Sequence, residues 1–212
     1  MDNTWLLIVV TVLIFIVSLI YIALKRPASS TLSPKKASVL VIVGSGGHTK
    51  EILTLMSGLG EHYTPRYYVM ATTDNMSEGK VHDFETKKSQ GNSKNYEIHK
   101  IPRSREVKQS WITTVLSTLG ATLVSFPLVF KLNPNIILCN GPGTCIPICI
   151  AGFFLKVLSL GKTQIIYVES VCRVQTLSMS ARLLYYIADD MFVQWEGLRK
   201  RYPRCKYIGR LV

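Results

Sequence analysis

Between Trp5 and Leu24 the chain runs for twenty residues, WLLIVVTVLIFIVSLIYIAL, without a charge. A helix rises about 1.5 Å per residue, so this length matches the roughly 30 Å hydrocarbon core of a bilayer. A cleaved signal peptide is the competing reading. Its apolar region is usually about 7–15 residues long and follows a basic start. Here the start is Met-Asp-Asn, and no small-x-small cleavage site follows the run. Residues 1–24 therefore read as an N-terminal tip and a transmembrane anchor.

Charge gives the orientation. No Lys or Arg precedes the run, while Lys25, Arg26, Lys35 and Lys36 follow it, which places the N-terminus outside or in a lumen and residues 25–212 in the cytosol. All 25 basic residues and 12 of the 13 acidic ones lie in that second part, a formal charge of +13. Such a domain is drawn to an anionic leaflet. Nucleic acid is the other usual partner of basic charge, but there is no zinc-ligand spacing, RNA-binding aromatic signature or basic helix, so no nucleic-acid partner is expected. Cys139, Cys145, Cys149, Cys172 and Cys205 are odd in number and form no CxxC, which reads as free, mostly buried thiols in a reducing compartment.

Residues 25–36, KRPASSTLSPKK, read as a linker, and residues 37–212 as one domain large enough for a full core. Within it apolar strand-length runs alternate with helical stretches. Strands are expected at Ser38–Val43, Arg66–Ala71, Tyr96–Ile101, Asn135–Cys139, Gln164–Val168 and Asp190–Gln194. Helices are expected at Thr49–Leu59, Ser77–Lys88, Gly143–Leu160 and Ser178–Ile187. This rhythm predicts the fold class: α/β, a Rossmann-like, doubly wound parallel sheet behind the transmembrane helix.

Residues 110–130 break the rhythm with 21 uncharged positions, apolar at helical spacing, diluted by eight Ser, Thr or Gly and interrupted near the end by Pro127. Three readings stand: a core helix of the sheet, an amphipathic helix in the membrane interface with Trp111 at headgroup level, and a second span.

The first strand runs into Gly44-Ser45-Gly46-Gly47-His48-Thr49. Glycines after a parallel strand let the backbone turn sharply and offer its N–H groups at a helix N-terminus, a site suited to a diphosphate. The pattern is neither a Walker loop nor the dinucleotide GxGxxG, so no nucleotide cofactor is implied and a dinucleotide oxidoreductase is disfavoured. His48 at the loop's mouth is a candidate general base. A second glycine turn, Cys139-Asn140-Gly141-Pro142-Gly143-Thr144, follows the fourth strand. Glu169 ends the fifth strand, Asp74 follows the second, and Arg103 and Arg105 follow the third. Ligands bind at the carboxyl ends of such strands, so all these residues converge on one rim, where guanidinium groups fork onto phosphate oxygens. No acidic pair has metal-ligand spacing, and no metal is expected.

Taken together, SVLVIVGSGGHTKEIL, NGPGTC, IYVESVCRVQTLS and YPRCKYIGRLV resemble a family. It is the asparagine-linked glycosylation subunit fourteen family, the membrane-anchored subunits of the two-chain N-acetylglucosaminyltransferase of dolichol-linked oligosaccharide synthesis. That family is similar in turn to the N-terminal half of the bacterial peptidoglycan lipid glycosyltransferase, a glycosyltransferase-B fold. There Gly46, Gly47 and His48 match a Gly-Gly-His, Gly141 and Gly143 match the second loop, and Glu169 matches a Glu. A Tyr of that loop is replaced near Cys145, and the His and Asn around the Glu are absent.

The resemblance implies the acceptor half of a glycosyltransferase-B enzyme on the cytosolic face of the endoplasmic reticulum. The reaction it implies is transfer of GlcNAc from UDP-GlcNAc to dolichyl-diphosphate-GlcNAc. It implies a soluble UDP-GlcNAc-binding partner subunit, docked on Tyr207, Ile208, Gly209, Arg210, Leu211 and Val212. The glycine loops with Thr49, Asp74, Asn140, Arg103 and Arg105 then hold the acceptor diphosphate, and His48 or Glu169 is the base. The alternative is a scaffold that recruits and activates the partner without catalytic residues of its own. The C-terminal KYIGRLV also reads as a strand finishing the sheet.

Overall fold

Among the described residues the apolar runs form six strands: β1 (Val39–Ile42), β2 (Arg66–Ala71), β3 (Tyr96–Ile101), β4 (Ile136–Cys139), β5 (Gln164–Val168) and β6 (Asp190–Phe192). All neighbours pair in parallel, in the order β3-β2-β1-β4-β5-β6. Among the described residues six helices separate or follow them: α1 (Gly47–Ser57), α2 (Asn75–Lys88), α3 (Trp111–Leu132), α4 (Cys145–Val157), α5 (Met179–Leu184) and α6 (Glu196–Arg201). The structure is a computed structural model describing residues 36–88, 95–106, 109–158 and 160–212. The expected anchor at 5–24, the linker up to 35, the loop residues 89–94 and the side chain of Trp111 lie outside the described residues.

Both sheet faces are covered, which is why the central strands are apolar at every position rather than alternating. Val39, Val41 and Val43 pack with Ile52 and Met56 of α1 and Val81 of α2. Leu40 and Ile42 face the other way, toward Ile148 and Ala151 of α4. Ser38 and Asn135 fix the register between β1 and β4. Asn135 Oδ1 accepts from the Ser38 backbone N–H at 2.9 Å, and Ser38 Oγ accepts from that of Asn135 at 3.1 Å.

Most expected elements appear: β2, β3 and β5 have the expected bounds, β1, β4, β6, α4 and α5 are shorter, and α1 and α2 begin two residues earlier. The helix α6 was not anticipated, since six residues give a period little room to show. The expected C-terminal strand does not form. Lys206 makes one bridge beside Phe192, and Gly209 then turns the chain at a φ of 97°. Pro127 does not end its helix. Instead α3 runs through to Leu132, because Phe126 and Phe130 hold its last turns, Phe126 stacking on Phe154 of α4 at 5.5 Å.

The first half of α3 behaves differently. Thr114, Ala121 and Ser125 are buried, while Ile112 and Leu123 are 78% and 73% exposed and Val115, Leu116 and Leu119 lie exposed with them. At helical spacing these form one apolar stripe facing away from the domain. The helix is long and apolar enough to cross a membrane, yet its other face is packed on α4.

Candidate functional site

Because Ile42 of β1 lies level with Cys139 of β4, the loops leaving those two strands emerge side by side. This is where the strand order reverses, the switch point at which open α/β sheets bind ligands. The approach is close. A Cβ on Gly44 would lie 2.7 Å from Pro142 Cβ, and one on Gly141 would lie 2.6 Å from Cε1 of His48. Gly141 also has a φ of 79°, so both backbone and space demand glycine there.

A cleft of about 550 Å³ opens over these loops. Gly44, Ser45, His48, Asp74, Arg103, Arg105, Gly141 and Gly143 line it, as the sequence predicts for the rim. Gly46 and Gly47 are exposed at the start of α1, while Thr49 and Asn140 are buried behind the loops. Thr49 Oγ1 donates to the Gly44 carbonyl and pairs with Ser77 Oγ at 2.9 Å, stitching the loop to α2. Asp74 caps α2, accepting from Ser77 N at 3.1 Å and Ser77 Oγ at 2.7 Å, so its carboxylate is largely spent on the fold.

Three arginines line the cleft, Arg103, Arg105 and Arg173. Arg103 Nη2 reaches Ser45 Oγ at 3.5 Å. Helix α1 begins at Gly47 with no side-chain cap, and Thr144 Oγ1 at the far wall is buried without a hydrogen-bond partner among the described residues. Uncapped helix N–H groups, a spare hydroxyl and several guanidinium groups together suit a polyanion such as a diphosphate.

His48 is held from behind. Its Nδ1 lies 3.1 Å from Asn140 Oδ1, and Asn140 Nδ2 donates to the Val168 carbonyl at 3.1 Å. That second bond fixes the amide orientation, so Oδ1 is the atom facing His48. The network thus assigns the Nδ1 proton to His48 and leaves Nε2 as the basic nitrogen of the neutral ring.

Glu169 is placed otherwise. It is fully buried, does not line the cleft, and has both oxygens engaged: Oε1 accepts from Ser170 N at 3.0 Å and Oε2 from Ser178 N at 2.7 Å. Burial raises its pKa, partly offset by those two backbone bonds. The carboxylate closes the loop between β5 and α5 that carries Arg173.

Residues 207–212 are not among those lining the cleft. Arg210 sits over the Trp195 ring at 4.2 Å, Leu211 N donates to Gln194 Oε1 at 2.8 Å, and Ile208 is exposed.

Arg173, Glu106 and Ser180 of the cleft wall, and Glu51 behind it, are not among the sequence-based candidates, and Thr144 figures there only as the end of the second glycine turn. Arg173 and Thr144 follow strands β5 and β4 as closely as the residues that were selected. Glu51 stands three residues after His48, on the same helix face.

These features define the class: a Rossmann-like α/β domain with an anion-suited cleft at its switch point, as in one half of a glycosyltransferase-B fold. It is similar to MurG of Acinetobacter baumannii, with a TM-score of 0.58 at 14% identity, over 82% of this chain and 45% of that one. It is also similar to a UDP-N-acetylglucosamine 2-epimerase, with a TM-score of 0.53 at 16% identity, over 76% and 41%. The chain thus spans less than half of either solved structure. The family described as "Oligosaccharide biosynthesis protein Alg14 like" matches residues 39–211, and the chain belongs to it. Human UDP-N-acetylglucosamine transferase subunit ALG14 is 46% identical over 206 residues, 95% of this chain and 94% of the human one. Its Schizosaccharomyces pombe counterpart is 41% identical over 214 residues, 98% of each.

Proposed function

We propose that this chain is the acceptor-binding, membrane-held subunit of a two-chain UDP-GlcNAc transferase. It adds the second GlcNAc to dolichyl-diphosphate-GlcNAc on the cytosolic face of the endoplasmic reticulum. The observation that carries the reading is the cleft itself, where a diphosphate-suited wall of glycine loop and guanidinium groups faces a histidine with one basic nitrogen. The likeness to transferase subunits supports it, as those names imply a second subunit. A soluble partner holds UDP-GlcNAc, and residues 207–212 form part of its docking surface, with Ile208 turned outward.

In the reaction, the acceptor sugar's hydroxyl gives its proton to His48 Nε2. Its oxygen bonds to the anomeric carbon of GlcNAc, and UDP leaves with the electron pair of the broken C–O bond. Glu169, with both oxygens bound to backbone N–H groups, serves as a brace for its loop. The apolar stripe of α3 rests on the bilayer and, with the anchor at 5–24, brings the cleft to the lipid's headgroup.

The test is reconstitution of the full chain with its soluble partner, assayed with UDP-GlcNAc and a short-chain dolichyl-diphosphate-GlcNAc. The pair is expected to transfer GlcNAc, neither chain alone to do so, and His48→Ala to abolish transfer with the pair intact. Transfer by this chain alone refutes the half-enzyme reading. Full activity of His48→Ala leaves the scaffold as the better account.

A further inference from the structure

Glu51 carries an oxygen that the fold itself does not use. Its Oε1 accepts from Ser170 Oγ at 2.8 Å and from Val171 N at 3.3 Å, tying α1 to the β5–α5 loop. Its Oε2 is buried and accepts no hydrogen bond among the described residues. Buried carboxylate oxygens are costly to leave unpaired, and such an exception calls for a reason. The nearest cationic candidate is His48, whose Nδ1 lies 3.7 Å away. The carboxylate is mostly shielded, at 12% exposure of its side chain against 36% for the imidazole, so water does little to screen the pair.

We infer that Glu51 is a positioning residue for His48. Its free oxygen stabilises the imidazolium formed as the attacking hydroxyl gives up its proton, and its bound oxygen fixes the ring's helix against the loop bearing Arg173. The inference rests on His48 being the base. Asn140 holds the Nδ1 proton and is neutral, so it orients the ring but cannot answer the positive charge. The carboxylate can, and it answers most strongly in the transition state, where the charge appears. The other charges facing this ring across the cleft are Asp74, Arg103, Arg105, Glu106 and Arg173. Three of the five are cations that oppose protonation of the ring, and the Asp74 carboxylate is taken up by Ser77. Glu106 forms no ion pair with the ring among the described residues, whereas the Glu51 oxygen lies 3.7 Å from Nδ1, which makes Glu51 the carboxylate placed to offset them.

Glu51→Gln separates the two roles, because the amide oxygen still accepts from Ser170 and Val171 while the charge is gone. In the reconstituted pair, with UDP-GlcNAc and short-chain dolichyl-diphosphate-GlcNAc, kcat is expected to fall roughly tenfold, a fraction of what a general base supplies. KM for both substrates should stay within about twofold, the pattern of an interaction made in the transition state. The acid limb of the kcat/KM profile should move to lower pH, which a purely structural tie would not do, and Glu51→Asp should recover part of kcat. Wild-type kcat with an unmoved limb in Glu51→Gln overturns the inference, as does a loss confined to KM. His48→Ala, run alongside, separates the failures. If it is inactive while Glu51→Gln is normal, only the role of Glu51 falls; if it is fully active, the base assignment falls and takes this inference with it.

Discussion

Asn140 presents its amide oxygen to His48 Nδ1 at 3.1 Å while its amide nitrogen donates to the Val168 carbonyl, also at 3.1 Å. One buried side chain thereby joins the carboxyl ends of β4 and β5 to the ring on α1 and selects the tautomer. Asn140→Ala removes that selection and leaves the Val168 carbonyl without this donor. The expected result is a kcat lowered about tenfold or more, with stability lowered by about 1–3 kcal/mol, the usual cost of stranding a buried polar group. Steady-state assays and denaturant titration of the variant measure the two effects separately.

Gly141 is the floor under the same ring. Its φ of 79° disfavours any Cβ, and an added methyl would sit 2.6 Å from His48 Cε1. Gly141→Ala should cost about 1–2 kcal/mol from the backbone alone and push the imidazole off its bond to Asn140. Activity is expected to drop more than stability accounts for. A variant that melts lower but retains full kcat would show that the ring's position does not matter.

The fold was largely legible because each central strand is a short unbroken apolar run, and such runs between helical periods describe a parallel sheet. The rim residues were legible for the same reason, since a residue just after a parallel strand must emerge at the ligand edge. What the sequence could not give was depth. Glu169 and Arg103 both follow strands, yet one is sealed under two backbone N–H groups and the other lines the cleft. The Glu51 carboxylate, 119 residues from its Ser170 partner, becomes visible only when the sheet closes. At α3 an even apolar composition concealed that one face is packed and the other bare.

Arg173 lines the cleft from the β5–α5 loop and is itself exposed. Charge-assisted bonds to a phosphate contribute about 1.5–3 kcal/mol each. Arg173→Ala is therefore expected to raise KM for the lipid-diphosphate acceptor about tenfold or more and to leave KM for UDP-GlcNAc unchanged. A rise in the nucleotide-sugar KM instead would place the donor, not the acceptor, against this wall.

The stripe on α3 gives a prediction about substrate length. Burying a leucine-sized side chain contributes roughly 1.5–3 kcal/mol, and a carboxylate there reverses the gain. Leu116→Glu with Leu119→Glu should lower turnover of a long-chain acceptor embedded in vesicles about tenfold relative to turnover of a short-chain soluble acceptor. Both positions are exposed, so the melting temperature should stay near wild type. An unchanged ratio of the two rates would argue that α3 does not touch lipid.

Glu169 predicts how stability follows pH. Burial raises its pKa in the folded chain, with the bonds from Ser178 and Ser170 opposing in part. As pH rises, the unfolded chain therefore ionises first, near the ordinary glutamate value of about 4.3. The stability that the protonated, buried group contributes is fully present below that value and is lost as pH climbs through the raised folded value. Glu169→Gln does not titrate, so its denaturant midpoint should lack this decline as pH rises above the ordinary glutamate value of about 4.3, whatever its absolute level. The slope is the readout, because an amide facing the Ser170 and Ser178 N–H groups lowers the level at every pH. A variant with the same slope as wild type would mean that the decline arises from other carboxylates and that Glu169 stays ionised in both states.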